Sequence, residues 1–333
     1  MNFLEDSWYK DGGWTKLLSP LSSIYASVST QRRKKFLSNQ STLWQSPVPI
    51  VVVGNISVGG TGKTPVTLAL IEYLKTLGYT PGVVSRGYGG KALSYPYEVM
   101  ADSSAALSGD EPLLIKQRTN CCVVVDPDRV AAAKYLLEVS NCDLIISDDG
   151  LQHYALVRHI ELVVVDGERG LGNGRLLPAG PLRESAQILS EVDFVLVNGG
   201  QWSFGTKDIN RFSLKATRFV NVKTGETNSL SQWAGIDCHA VAGIGNPQRF
   251  FNTLVGLNLN IKTQKAFPDH HKIAENELVF NDDLPVLITE KDAVKCYDFA
   301  DDKLWYLSVD AQLPVNFLSQ LKLTLEQFRD QTL

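Results

Sequence analysis

The 333-residue sequence has no C-x-x-C pair, no excess of positive charge and no apolar run long enough to cross a bilayer. Its five cysteines (Cys121, Cys122, Cys142, Cys238, Cys296) lack metal-ligand spacing, and Cys121 and Cys122 lie inside a strand-like run. That excludes a zinc module or a disulfide scaffold and leaves reduced, buried thiols in a reducing compartment. No stretch approaches the ~18 to 20 apolar residues of a membrane-spanning helix. The first residues do not follow the charged-then-apolar order of a signal peptide, so the chain is expected in the cytoplasm or facing it. A net charge of −4 argues against general affinity for nucleic acid. There is no internal repeat and no low-complexity tract.

Hydrophobic residues make up 44% of the chain and charged residues 20%, enough for a sizeable core at a length that suggests two domains. From about residue 50 to 200, short β-rich runs alternate with helical segments. The strands expected are Ile50–Val53, Gly82–Ser85, Cys121–Val125, Leu144–Ser147, Glu161–Val165 and Phe194–Val197, with helices such as Pro65–Leu77 and Arg129–Val139 between them. Continuous apolar strands alternating with helices imply a mostly parallel sheet covered on both faces, a phosphate-loop NTPase-type α/β fold. Ligands in such sheets bind at the carboxyl ends of the strands, and those ends carry SVGGTGKT, SRGYGG, DPDR, DDGLQH, DGERGLGNG and NGG. Residues 205–228 are polar and alternating with a turn at Gly225, which reads as a two-stranded hinge ribbon. The organisation expected is a kinase-type domain over 1–204, the ribbon over 205–228 and a smaller α/β lobe over 229–333.

Residues 54–65, GNISVGGTGKTP, follow the first apolar strand. A phosphate loop works because successive backbone N–H groups and a helix N-terminus point at one anion, while glycines let the backbone curl around it. Ser57, Val58, Gly59, Gly60, Thr61, Gly62, Lys63 and Thr64 would form it, with Lys63 reaching the β- and γ-phosphates and the Thr64 hydroxyl on Mg²⁺. The usual G-x-x-x-x-G-K-[ST] template has glycine where this chain has Ser57. Asp143–Asp148 is an apolar strand ending in acid, the Walker B pattern that sets a carboxylate beside Mg²⁺. Asp149 follows, and a bend at the strand end would bring both acids to the metal.

Partition-type ATPase switches carry a lysine just before the paired glycines of their loop. Here that position is Val58, which argues against a membrane-associated switch. The TEKD of VLITEKDAVK lacks the asparagine and the lysine placement of a guanine-reading motif. Taken in order, VGNISVGGTGKTP, VVSRGYGG, SGDEP, DPDR, ISDDGLQHY, NGRLLPAGPLRE, FPDHH and TEKDAVK resemble the tetraacyldisaccharide 4′-kinase family, the lipid A 4′-kinases of Gram-negative bacteria. The resemblance runs from about residue 13 to about 300. That family's loop has a hydroxyl residue where Ser57 stands.

The resemblance implies transfer of the ATP γ-phosphate to the 4′-hydroxyl of a tetraacylated glucosamine disaccharide 1-phosphate, with Mg²⁺ as cofactor. It also implies that Asp110 of SGDEP is the base and His270 of FPDHH its partner. Read locally, Ser108 and Glu111 fit a helix capping box with Asp110 in the first turn. Arg86 and Tyr88 of SRGYGG are candidates for substrate contacts, set against a plain glycine turn. Arg183 and Glu184 are candidates for nucleotide contacts. Asp126, Asp128 and Arg129 are expected to pair at a helix start, His153 to steady the Walker B loop, and His159 and His239 to be structural. His271 is not assigned a role. The rival readings are a membrane-bound ATPase switch and a phosphate-loop kinase of a soluble metabolite.

Trp14, Leu17, Leu18, Leu21, Ile24, Tyr25 and Val28 recur at helical spacing and precede the basic cluster Gln31–Lys35. Two readings are open: a helix packed on its own core, or an interfacial helix at the cytoplasmic face of the inner membrane, where a tetraacylated substrate resides. No obligate protein partner is expected, and Pro20 should limit helical regularity in the first half.

Overall fold

Apolar runs of five to seven residues, bounded by polar strand ends, build the sheet. The computed structural model describes residues 3–9, 13–39 and 43–332. Its strands are β1 (Ile50–Gly54), β2 (Pro81–Ser85), β3 (Tyr97–Glu98), β4 (Val123–Val125), β5 (Leu144–Asp148), β6 (Ile160–Asp166) and β7 (Phe194–Asn198), followed by β8 (Ile209–Asn221), β9 (Thr227–Ser229), β10 (Asp237–Ala242), β11 (Asn260–Ala266), β12 (Val286–Thr289) and β13 (Leu304–Gln312). The helices are α1 (Phe3–Tyr9), α2 (Ser19–Ser38), α3 (Lys63–Thr76), α4 (Ala105–Ser108), α5 (Asp110–Thr119), α6 (Arg129–Val139), α7 (Pro247–Gly256), α8 (Glu290–Ala293) and α9 (Val315–Thr332).

The strand order is β11-β10-β12-β13-β8-β7-β6-β1-β5-β2-β4-β3, with β9 on β8. All pairings are parallel except β3 with β4, β8 with β13 and β8 with β9. This is the mostly parallel α/β architecture that the sequence pattern requires. β1 lies between β5 and β6, in a register that puts Val53 opposite Asp148. The end of β5 therefore stands beside the loop that leaves β1.

Two apolar clusters cover the two faces of the β1–β7 half. One includes Val51, Leu70, Ile71, Leu113 and Ile146, the other Val52, Ala132, Leu136, Ile145 and Val163. Two smaller clusters cover the faces of the β10–β13 half, around Phe219 and Leu254 and around Ile288 and Cys296. The five cysteines are free, and all but Cys122 are buried.

β8 serves both halves. Its first residues pair with β7 and its later ones run antiparallel to β13. Its hairpin partner β9 is three residues long, with Gly225 (φ 71°) in the turn. The boundary expected at 229–333 needs amending at its far end. Phe317, Leu321 and Leu325 of α9 are buried in the core cluster of β1 and α3, and Tyr73 Oη donates to the Leu318 carbonyl (3.0 Å). Apolar burial thus returns the C-terminal helix to the first half of the chain.

Near the N-terminus a 3₁₀ turn (Gly13–Leu18) precedes α2, and Pro20 falls in the first helical turn. There its missing N–H costs nothing, so Pro20 does not disturb the helix as expected. Strand β4 starts at Val123, which leaves Cys121 and Cys122 just outside it.

Candidate functional site

β1 delivers the chain into the loop 55–62, and α3 begins at Lys63. Val58 N–H donates to the Pro181 carbonyl (2.9 Å) and Arg183 N–H to the Ile56 carbonyl (2.7 Å), which pins the loop against the segment 181–183. Ser57 bridges to Leu182 there and is buried. A hydroxyl residue with ordinary backbone angles suits that bridge. Gly62 has φ 97°, and a Cβ on it would lie 2.7 Å from Asn198 Nδ2, which itself donates to the Thr61 carbonyl (3.2 Å). The N–H groups of the first turn of α3 have no intrahelical partners, which makes the loop a ready anion site.

Asp148 and Asp149 both face this loop. Asp149 adopts φ 48°, a left-handed turn that reverses the alternation of side chains at the strand end. Its oxygens lie 3.4 Å from Lys63 Nζ and 3.3 Å from Arg183 Nη1. Burial works against its ionised form, but Lys63 and Arg183 outweigh that and hold the carboxyl down at about 2. Burial instead pushes Asp148 up to about 7, with the charges of Glu111 and Asp149 adding to it. Asp148 accepts from Thr67 Oγ1 (3.2 Å), while its Oδ2 is buried without a hydrogen-bond partner.

An orphaned buried carboxylate oxygen next to a threonine hydroxyl fits a hard cation. Among the described residues no three His, Cys, Asp or Glu converge on one point. Mg²⁺ keeps water and phosphate oxygens and takes few protein ligands. Thr64, Asp148 and Asp149 are the residues that would hold it.

The turn SRGYGG packs backbone to backbone on the turn Ser108–Gly109. Gly109 has φ 87°, and a Cβ on it would lie 2.7 Å from the Tyr88 carbonyl oxygen. This close approach sets Asp110, the first residue of α5, beside Tyr88. Across from it, His270 adopts φ 61° and turns Nδ1 to 3.2 Å from Asp110 Oδ2. A non-glycine residue held in the left-handed region costs about 1 kcal/mol or more and is kept where its side chain must point one way. The Tyr88 ring lies 4.7 Å from the imidazole, centroid to centroid.

The capping-box expectation fails here. Gly109 is the N-cap of α5, and Ser108 Oγ donates to the Ser104 carbonyl instead (3.0 Å). Glu111 instead accepts from Lys291 Nζ (2.9 Å). Burial raises the Glu111 carboxyl, but the Lys291 ammonium and then the Lys63 charge outweigh it and bring it to about 2. The folded value lies below the roughly 4.3 of an unfolded chain. Ionised Glu111 therefore adds stability in full above that pH, and the gain fades as pH falls toward 2. Glu111→Gln is expected to lower the unfolding free energy by about 2 to 3 kcal/mol at pH 7 and by about half as much at pH 3. Urea unfolding at the two pH values reads the difference, and equal losses at both would refute this account.

The remaining expected residues divide. Arg183 reaches Asp149 (3.3 Å), while Glu184 turns to Tyr154, and its buried carboxylate accepts from Tyr154 Oη. Arg86 is exposed beside Arg129 and His153. Asp128 caps α6, and its N–H donates to Asp126 Oδ1 (2.7 Å). Arg129 donates to the Asp126 carbonyl (2.6 Å), and the fields of Asp148 and Asp149 reach it. Burial, then the charges of Arg129 and Arg86, lower His153 to about 4, so the imidazole beside the Walker B loop is neutral at pH 7.

His159 Nδ1 accepts from the Ile50 N–H (3.0 Å), and His239 pairs with Asp282 (2.9 Å), both structural as expected. His271 is tied to Glu277 (2.9 Å). Lys291 and Lys295 at the Asp110–His270 pair were not assigned from sequence. Their signals were the place of TEKDAVK among the motifs of the resemblance and the i, i+4 spacing of its lysines.

Comparison with known proteins bears on this site. The family model described as tetraacyldisaccharide-1-P 4′-kinase matches residues 14–326. The tetraacyldisaccharide 4′-kinase of Pseudomonas syringae pv. tomato is 51% identical over 309 residues, 92% of each chain. That of Pseudomonas putida strain GB-1 is 51% identical over 307 residues, covering 92% of this chain and 91% of its own. The solved structure of LpxK from Aquifex aeolicus in complex with ATP superposes with a TM-score of 0.78 at 25% identity, over 94% of this chain and 99% of that one.

Proposed function

The chain belongs to the tetraacyldisaccharide 4′-kinase family, and on that premise we propose that Asp110, oriented by His270, accepts the proton of the acceptor hydroxyl. The chain is an ATP- and Mg²⁺-dependent phosphotransferase acting on the 4′-hydroxyl of a tetraacylated glucosamine disaccharide 1-phosphate. A sugar hydroxyl is weakly acidic, so a carboxylate suits late proton removal, while positioning and charge neutralisation do most of the work. The observation that carries the assignment is the 3.2 Å contact between Asp110 and His270, which lie 160 residues apart in sequence.

In this reading Lys63 and the backbone of 57–64 hold the transferred phosphate, and Arg183 steadies Asp149. Thr64 and the two aspartates would hold Mg²⁺, which would supply charge neutralisation for the phosphates. Tyr88 and Arg86 border the acceptor side. Incubation with γ-labelled ATP and a tetraacyl disaccharide 1-phosphate should move label to the lipid. Release of free phosphate indifferent to the lipid would instead favour an ATPase switch.

The acceptor's acyl chains bring the enzyme to a membrane, and α2 has the features of the contact element. Among the described residues no helix is long and apolar enough to span. Leu17, Leu21, Ile24 and Val28 form a stripe at 3–4-residue spacing, each more than half exposed. Leu18 and Tyr25 do not belong to it. Tyr25 Oη donates to the Arg183 carbonyl (3.0 Å), which ties α2 to the segment pinning the phosphate loop. The stripe lies on the inner-membrane surface at its cytoplasmic face, with Arg32, Lys34 and Lys35 near anionic headgroups. Leu17, Leu21 and Ile24 changed together to serine should lower binding to anionic vesicles at least about tenfold. Unchanged cosedimentation would refute the contact.

A further inference from the structure

The motif Thr289–Lys295, TEKDAVK, lies outside the phosphate loop, and both of its lysines reach the Asp110–His270 pair. Glu290 takes both of its contacts from Arg118 Nη1 (2.8 Å each), near the far end of the helix that Asp110 begins. Asp292 accepts from Gly243 N–H (2.9 Å) and Thr289 Oγ1 (2.6 Å). Lys295 donates to Asp292 (2.8 Å) and the His271 carbonyl (3.0 Å), and its Nζ lies 3.5 Å from Asp110 Oδ2. Lys291 donates to Glu111 Oε1 (2.9 Å), Asp269 Oδ1 (3.3 Å) and His270 Nε2 (3.4 Å).

The Lys291 contacts decide a protonation state. An ammonium has three N–H donors and no lone pair, and here three acceptors surround it. Lys291 can donate to the ring nitrogen facing it only if that nitrogen is bare, although the same Nε2 also lies 3.9 Å from Asp269 Oδ2. The one proton of the imidazole then sits on Nδ1, 3.2 Å from Asp110 Oδ2. We infer that Lys291 is a positioning residue for the transfer: it fixes His270 as the neutral Nδ1–H tautomer, so that the ring donates to Asp110 and leaves Oδ1 of that carboxylate to the acceptor hydroxyl. Without the ammonium, Nε2 is free to carry the proton, and Nδ1 then presents a lone pair to a carboxylate that also has only lone pairs. The base loses its orienting bond, as a triad aspartate does when its histidine takes the wrong tautomer. This inference rests on the assignment of Asp110 and His270 above.

The test is the ¹⁵N spectrum of the histidine-labelled full chain at pH 8, with the His270 signals identified by their loss in His270→Gln. The wild-type protein should show His270 Nδ1 as N–H and Nε2 as a bare nitrogen; the reverse pattern overturns the inference without recourse to any variant. In Lys291→Met the Nδ1–H pattern should be lost, with kcat down about 10- to 100-fold and KM for ATP and lipid within about threefold. Lys291→Gln keeps an NH₂ group with two N–H donors and should recover most of the wild-type tautomer and part of kcat. A Lys291→Met protein that keeps the Nδ1–H tautomer overturns the inference even if it is slow, since its defect is then only structural. A fully active Asp110→Asn, by contrast, would sink the base assignment while the tautomer measurement stood.

Discussion

Replacing Asp110 by asparagine is expected to cut turnover by a factor on the order of 10³ while ATP affinity stays within about twofold. Asparagine preserves shape and can still accept from His270 Nδ1–H, so the site keeps its geometry. What disappears is the capacity to take a proton. On the proposed assignment ATP is unaffected, because Asp110 is met by His270 and Lys295 rather than by the phosphate loop. Single-turnover transfer of labelled phosphate, together with calorimetric ATP binding, separates the two effects. Transfer at the wild-type rate would return Asp110 to a merely structural role at the start of its helix.

Lys63→Ala should be as damaging by another route. Lys63 supplies the positive side chain aimed along the loop, and its loss should lower kcat/KM by about 10³-fold or more, with weaker ATP binding as well. A second consequence follows from its contact with Asp149 (3.4 Å). With Lys63 gone, Arg183 is the remaining ion-pair partner of Asp149 among the described residues, so the carboxylate pair carries less compensating charge. Mg²⁺ titration of the variant should register that change alongside the loss of transfer. Retention of normal kcat/KM would mean that backbone N–H groups alone position the phosphate.

The phosphate loop was legible because its chemistry is contiguous: strand, glycines, lysine and helix follow within fifteen residues. The buried strands were legible for a similar reason, since their apolar runs leave little choice of environment. The acceptor side was not. Glu111 and Lys291 are 180 residues apart, and nothing local to either announces the pair. The Ser108–Glu111 spacing pointed to a cap, but the close approach of Gly109 to Tyr88 gave the N-cap position to glycine and freed Glu111 for Lys291. Glu184 was grouped with Arg183 by adjacency, but the two side chains take different partners, Tyr154 and Asp149. Exposed and core-facing residues of α2 were merged because helical spacing alone does not say which side is covered.

The burial of Phe317, Leu321 and Leu325 against β1 and α3 bears on the timing of synthesis. Helix α9, made after every strand of the sheet, is a wall of the first core. Translation generally folds units in order from the N-terminus, but here the nucleotide half cannot complete its packing until the acceptor half has been made. A nascent chain therefore carries its phosphate loop long before that loop has its finished support, and ATP-hydrolysing competence should arrive together with the machinery that directs the phosphate to lipid.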